Sequence, residues 1–411
     1  MKILYLGTVC DFDKYEQLLK KCKTKPSVAS VVFETAMMKG FAENGSDVQI
    51  LSYPMIPTFP NSRSLFFGGH TENLCGFPCR WLKTLNLPFV KQWSRRADAR
   101  RAMKAWAKEN RGDGVILTYS VPPFLIKDIL QFSKRYELKA VAAIPDLLAN
   151  MYINHKGCAL VNSLKQLYLN RALKLQGEYD GYVYLTEAMR EVVSLEKPYI
   201  VMEGILDRTD AAKEKTSVSS PRVIMYAGGM HEKYGVLNLL DAFEQIEDTS
   251  AELWLFGEGT AVSEIQHRAK NNPRIRYFGS VKREEVLEYE RKASLLVNPR
   301  STKEGFTKYS FPSKTIEYMA SGTPLLTTKL EGIPQEYSDY VFTVRDNDAV
   351  LLKEALNKAL SLSDAELKSK GKAAQKFVYE HKNAKSQVGR IIKFLEKLSG
   401  EDHGVNVKEK I

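Results

Sequence analysis

The chain has 411 residues, 44% hydrophobic and 27% charged, with a formal net charge of +11. That length exceeds what one hydrophobic core fills, so two domains are expected. The positive balance calls for anionic partners, a phosphorylated small molecule or an anionic membrane face; nucleic acid is not expected, because no RNA-binding module is present and aromatics do not alternate with basic residues.

In chain order, Lys2 to Leu6 alternates and stops at Gly7, a first strand. No apolar run reaches the ~18 residues of a membrane span, and this start is too short for a signal peptide. Five cysteines at unpatterned spacing read as free thiols in a reducing compartment, so a cytoplasmic location is expected. Cys75-x3-Cys79 with His70 upstream has no fourth ligand nearby, and no metal site is expected. Thr8 to Pro26 is polar and reads as a loop; the absence of a glycine-rich turn after the first strand argues against a dinucleotide oxidoreductase. Ser27 to Glu43 predicts a helix capped by Ser27, with Val28, Val31, Val32, Ala36, Met37 and Phe41 on its apolar face, and Asp47 to Ser52 a second strand.

Tyr53 to Trp93 reads as a long loop carrying Leu65, Phe66, Phe67, Phe77, Trp81, Leu82, Phe89 and Trp93. Trp93 to Glu109 predicts a helix with Arg96, Arg100, Lys104 and Lys108 on one face. Two readings stay open: a peripheral surface for an anionic membrane, or a core-facing helix with a solvated basic side. Strands follow at Gly114 to Tyr119, Leu138 to Ile144, Gly181 to Thr186 and Tyr199 to Met202, with helices at Pro122 to Tyr136 and Ala159 to Leu175. Ligands of open α/β sheets gather at strand carboxyl ends, which makes Asp146 a candidate catalytic residue, with His155 a weaker one in the same loop. Asp207 to Pro221 is polar and aperiodic, a linker.

The second half restarts the strand-helix alternation. Val223 to Ala227 is a strand, and Gly228-Gly229 permits close backbone approach at its end. Leu253 to Gly257, Arg274 to Gly279 and Leu295 to Val297 are further strands, and Val286 to Lys292 a helix. Then comes NPRSTKEGFTKYSFPSKTIEYMASGTPLLTT, Asn298 to Thr328. Pro312 suits a first helical turn, so Ser310, Phe311 and Ser313 would present free backbone N–H groups to an anion, with Lys308 and Lys314 on either side. Glu317 follows on the helix, where a carboxylate can accept both hydrogen bonds of a ribose diol. A short strand near Val341 and three helices to about Leu398 complete the chain, with a polar tail from Gly400.

Glu317 followed by Met319-Ala320-Ser321-Gly322-Thr323-Pro324 resembles the nucleotide-sugar signature of glycosyltransferase family 4, in which two glutamates eight residues apart precede an A-x-G-x-P turn. The first glutamate is missing: Tyr309 stands in its place, and Glu304-Gly305-Phe306 comes five residues early. The resemblance implies an α/β chain of GT-B fold, two facing Rossmann-like domains with a deep cleft: an acceptor-binding domain over residues 1–205, a nucleotide-sugar domain over 206–385, and a helix over 386–411 crossing back to the first. Tyr226 to Gly235 resembles the family loop whose arginine and lysine hold the donor diphosphate. Gly229 and Tyr234 occupy those two positions, leaving Lys233, Arg300, Lys308 or Lys314 to act as the clamp. The resemblance also suggests that Ser280 and Val281 touch the base.

The expected activity is that of a retaining hexosyltransferase moving sugar from a nucleoside diphosphate sugar to a glycan or lipid-linked acceptor, in cell-surface polysaccharide or glycoconjugate synthesis. Asp146, Glu317 and Lys233 are its candidate catalytic residues. Gly228, Gly229, Arg300, Lys308, Tyr309, Ser310, Phe311, Ser313, Lys314 and Glu317 form its candidate donor site, with no metal or cofactor required. Its place would be the cytoplasm, at the inner face of the cell membrane if the aromatic segment binds lipid. A nucleotide-sugar epimerase of the same shape and a catalytically inactive binding protein are the alternatives, the missing glutamate favouring the latter.

Overall fold

Strands such as Gly114–Tyr119 and Val223–Ala227 are wholly buried, as their unbroken apolar runs require of a parallel sheet covered on both faces. The computed structural model describes residues 1–24, 26, 28–148, 159–206 and 221–400. The chain divides into two compact units, Met1–Ile205 with Ala384–Ile411, and Leu206–Asn383.

The first unit runs β1 (Lys2–Gly7), α1 (Phe12–Leu19), α2 (Ala29–Glu43), β2 (Asp47–Ser52), β3 (Phe66–Phe67), β4 (Thr71–Leu74), β5 (Phe77–Trp81), β6 (Thr84–Leu85) and α3 (Lys91–Glu109). It continues with β7 (Gly114–Tyr119), α4 (Ile126–Tyr136), β8 (Lys139–Ile144), α5 (Ala159–Gln176), β9 (Gly181–Tyr184), α6 (Met189–Val193) and β10 (Tyr199–Val201). Its eight-stranded sheet has the order β10-β9-β8-β7-β1-β2-β5-β4, parallel except for β4 against β5, while β3 and β6 form a separate antiparallel ribbon.

The second unit contains β11 (Val223–Ala227), α7 (Val236–Glu244), β12 (Glu252–Phe256), α8 (Val262–Asn271), β13 (Ile275–Gly279), α9 (Arg283–Lys292), β14 (Leu295–Asn298), α10 (Lys314–Ala320), β15 (Leu325–Thr328), β16 (Phe342–Val344), α11 (Ala349–Leu360) and α12 (Asp364–His381). Its sheet is wholly parallel, β13-β12-β11-β14-β15-β16, as right-handed helical crossovers produce. The last helix, α13 (Ala384–Ser399), belongs to the first unit. It lies on α2 at Gly40, where a Cβ would fall 2.4 Å from the Ala384 carbonyl, and it buries Val388, Ile391 and Leu395 in the core of the first unit.

Three expectations are corrected. Thr8 to Pro26 is no loop: Asp11 accepts the Lys14 N–H at 3.0 Å and caps α1, whose Tyr15 and Leu19, four apart, are both buried. Tyr53 to Trp93 holds four short strands, two of which extend the main sheet. The buried face of α2 includes Glu34, Met38 and Gly40, while Val28 and Val32 are exposed. Val28 is its N-terminal flanking residue, and Ser27 lies outside the described residues. So do His155, the linker at 207–220 and the tail at 401–411. Among the described residues no helix is long and apolar enough to cross a membrane, and no group of metal-binding side chains occurs.

Candidate functional site

In the second sheet the strand order reverses between β11 and β14, which creates a crevice at their carboxyl ends. Gly228-Gly229 leaves one side of it and Pro299-Arg300 the other. Backbone hydrogen bonds stitch the neighbouring loops together: Gly228 N–H donates to Phe256 O at 2.9 Å, and Gly257 N–H to Gly279 O at 2.8 Å. Gly257 sits at φ +132°, and a Cβ there would fall 1.9 Å from the Gly228 carbonyl oxygen. Only glycine fits. Gly235, at φ +80°, likewise admits no Cβ beside the Pro299 carbonyl, 1.9 Å away. The 3-10 turn Glu232–Tyr234 is thereby packed against the end of β14.

Tyr234 is the organising side chain of this crevice. The Lys233 ammonium lies 5.3 Å from its ring centroid and the Arg300 guanidinium 5.0 Å, while Phe306 meets it edge-on at 6.2 Å. The position where the resemblance expects a lysine therefore gathers two cations instead. Thr328 Oγ1 donates to the Arg300 carbonyl at 2.6 Å and holds that segment to β15.

The short helix α10 is pinned from beneath. Buried Tyr318 accepts the Ala227 N–H at 2.7 Å and donates to the Ala227 carbonyl at 2.9 Å, joining α10 to the end of β11. With only seven residues, α10 adds few aligned peptide dipoles, so the positive charge here comes chiefly from side chains. Ser313 flanks its start without a side-chain cap, and Phe311 turns into the core against Tyr337, ring centroids 5.7 Å apart. Thr307–Tyr309 forms a 3-10 turn, with Lys308 Nζ 5.8 Å from the Tyr309 ring centroid.

Glu317 is 19% exposed and is hydrogen-bonded by Lys314, with Arg283 3.6 Å from its second oxygen. Behind it stands Glu290 of α9, whose side chain is fully buried. Neither Glu290 oxygen has a well-formed hydrogen bond, and Lys314 Nζ lies 3.9 Å from one of them. Burial first, and the neighbouring Glu317 charge second, push the Glu290 carboxyl well above the ordinary range. Sequence reasoning missed both Arg283 and Glu290. The available signal was spacing, since Glu290 follows buried Val286 by four residues on one helix face.

The structure thus gathers Gly228, Gly229, Lys233 and Arg300 around Tyr234, and Lys314 with Glu317. It engages Lys314 with carboxylates, while Lys233 and Arg300 lie over the Tyr234 ring and Lys308 lies near the Tyr309 ring. Ser310 lies next to the turn, its carbonyl 2.6 Å from where a Cβ on Gly332 would be. Asp146 belongs to the other unit, exposed after β8, with its Oδ1 accepting the Leu147 N–H at 2.8 Å.

Residues 221–361 match the family described as Glycosyl transferases group 1. The match to this glycosyl transferase domain begins just before β11 and ends just after α11, so it contains the whole crevice. No curated protein matches the chain by sequence. Among solved structures, a sucrose-phosphate synthase from Thermosynechococcus elongatus is similar at 15% identity, covering 98% of this chain and 100% of its own, with a TM-score of 0.64. HepE of Anabaena in complex with UDP shares 13% identity over 97% of this chain and 100% of its own, with a TM-score of 0.61. The catalytic domain of starch synthase IV from Arabidopsis thaliana, bound to ADP and acarbose, shares 10% identity over 97% and 99%, with a TM-score of 0.63. The fold is that of the GT-B glycosyltransferases.

Proposed function

We propose that this protein is a retaining glycosyltransferase of family 4 type that takes a hexose from a nucleoside diphosphate sugar. The observation that carries this reading is the constellation at the β11/β14 crevice: a glycine-lined backbone, Lys233 and Arg300 on one aromatic ring, and a carboxylate held in place by Lys314 and Arg283. Lys233, Arg300 and Lys308 neutralise the diphosphate as it departs. Glu317 accepts hydrogen bonds from the two ribose hydroxyls, its orientation held by its basic neighbours. Gly228 and Gly229 let the backbone approach the donor, and Ser280 and Val281 follow β13 where a base would rest. An acceptor hydroxyl attacks on the face the diphosphate leaves, and a diphosphate oxygen takes its proton. No enzyme nucleophile is needed, and the cations serve the charge without a metal. Asp146 is the candidate residue on the acceptor side.

The acceptor we infer is a glycan or lipid-linked glycan of cell-surface polysaccharide or glycoconjugate synthesis, handled at the cytoplasmic side of the membrane. UDP is the first nucleotide to test, because HepE was solved with UDP and with UDP-glucose. Thermal unfolding with UDP, GDP and ADP, each with magnesium or with EDTA, decides the donor site. Saturation at a hundred times the dissociation constant adds about 2.7 kcal/mol. A shift with one nucleotide that survives EDTA supports the reading, and no shift with any nucleotide overturns it. Product analysis with donor alone then separates transfer from epimerisation.

A further inference from the structure

Half of the sixteen large apolar side chains exposed among the described residues fall between Met55 and Trp93. They are held as one surface. Phe66 and Leu85 are directly opposed across the β3–β6 ribbon and both point outward, while their neighbours Phe67 and Thr84 are buried beneath. Asn86, next to Leu85, donates its N–H to the Leu65 carbonyl at 2.7 Å and accepts the Phe59 N–H at 3.1 Å. Leu85 N–H reaches Ser94 Oγ at 3.0 Å, which brings the start of α3 alongside. There Phe89 is 90% exposed and Trp93 70%, with Phe66 at 61%. A hydrophobic cluster of this density on a folded surface marks an interaction site.

The charge around it selects the partner. Residues 48–97 contain six Lys or Arg and a single acidic residue, Glu72, whose side chain is only 6% exposed and is paired with Lys14. The basic end of α1 is sewn to the same surface, Lys23 N–H donating to Asn61 O at 2.8 Å and Arg63 N–H to Lys21 O at 3.0 Å. Lys21, Lys23, Arg63 and Lys83 are all exposed. Lys21 also lines a cavity of ≈ 210 Å³ with Lys14, His70 and Trp81. Arg96 and Arg100, by contrast, are turned onto buried Asp128, which cancels one of their two charges. Bare aromatics rimmed by cations suit the interface of an anionic bilayer, where rings enter the acyl boundary and Lys and Arg meet headgroups.

We infer that the Phe59–Trp93 surface, with Lys21, Arg63 and Lys83 at its rim, docks this protein onto an anionic phospholipid membrane. The test is flotation of the full-length protein with vesicles of phosphatidylcholine alone or with a third phosphatidylglycerol, without nucleotide, so that the outcome does not depend on the donor reading. Binding is expected to the anionic vesicles only and to weaken with salt, because exposed charges more than about 10 Å apart are screened at 0.1 M. Replacing Phe66, Phe89 and Trp93 together by Ser should lower binding at least tenfold, a threshold of about 1.4 kcal/mol. Lys21→Glu with Arg63→Glu and Lys83→Glu should abolish the preference for anionic lipid. Trp93 is the most exposed of the four tryptophans, so vesicles should blue-shift the emission of the native protein, and Trp93→Phe should bind while losing that shift. Failure of the native protein to float overturns the inference. So does binding that the triple Ser variant leaves intact, or a change of oligomeric state on that substitution without any vesicle binding, which would make a second copy the partner.

Discussion

The carboxyl group of Glu290, fully buried on α9, stands against that of Glu317 on α10, and Lys314 Nζ bonds the second while lying 3.9 Å from the first. Two carboxyl groups share one ammonium, and burial raises the pKa of the inner one.

Because the folded-state pKa of Glu290 is raised, its contribution to stability is complete below the unfolded pKa and is lost as pH rises through the folded one. Glu290→Gln keeps the shape and cannot ionise. Its melting temperature should fall less than that of the native protein as pH rises above the ordinary carboxylate range, and its UDP-induced shift should stay near native. Parallel melting curves for the two proteins over that rise would contradict a raised pKa.

Glu317→Ala removes the proposed acceptor for the ribose diol and frees Lys314 toward Glu290. Charge-assisted hydrogen bonds contribute about 1.5–3 kcal/mol, so nucleotide affinity should drop roughly ten- to a hundredfold while the fold is retained. Isothermal titration with UDP measures it; undiminished affinity would remove Glu317 from the donor site.

In the first unit, Glu34 accepts the Tyr5 hydroxyl at 2.8 Å and the Thr8 N–H at 2.9 Å, and a Cβ on Gly7 would collide with it. Burial outweighs these bonds and pushes its carboxyl up to about 7. The stability this provides is present below the unfolded carboxyl pKa and is lost as pH rises through about 7, a change on the order of 3 kcal/mol. Glu34→Gln should flatten that dependence in urea titrations between about pH 4.5 and 7.5.

Arg96 donates to Asp128 at 2.6 Å, and Arg100 also bonds that buried carboxylate, so α3 and α4 are clasped by charge. Both arginines reach solvent in part, so losing the carboxylate costs less than the 3–5 kcal/mol of a fully buried pair. Asp128→Ala should destabilise the protein by about 2 kcal/mol in chemical denaturation. A near-neutral result would mean that apolar packing alone joins these helices.

Gly257→Ala places a methyl group against the Gly228 carbonyl at a backbone angle that L-residues avoid. Strain of this kind costs roughly 1–3 kcal/mol. Both melting temperature and nucleotide affinity should fall, because the loop that must yield is the one lining the crevice.

Much of this molecule was legible in its residues. Val223–Ala227 occupies the span its unbroken apolar run predicts, and the other parallel strands, β5 excepted, fall within a few residues of theirs, because a strand covered on both faces leaves no polar position to blur its ends. Gly228-Gly229 marked a close backbone approach, whereas the need for glycine at Gly235 and Gly257 came only with the carbonyls of Pro299 and Gly228 beside them. What covers a helix face is a different matter. Glu34 and Glu290 are ionisable residues on helices; four-residue spacing from Val286 places Glu290 on the buried face, but nothing within either helix names the distant residues that enclose the side chain. The face of α2 was misjudged because Val28 and Val32 fit a helical stripe as well as Glu34 and Met38 do; only α13, returning from residue 384, and β1 chose between them. The aromatic segment was equally ambiguous. Phe66 and Phe67 are identical in type and adjacent in sequence, yet pairing with β6 sends one to solvent and the other to the core. Local propensity and apolar period determined most of the elements, whereas the partners of each side chain, and with them its charge state and exposure, were decided by contacts between residues far apart in the chain.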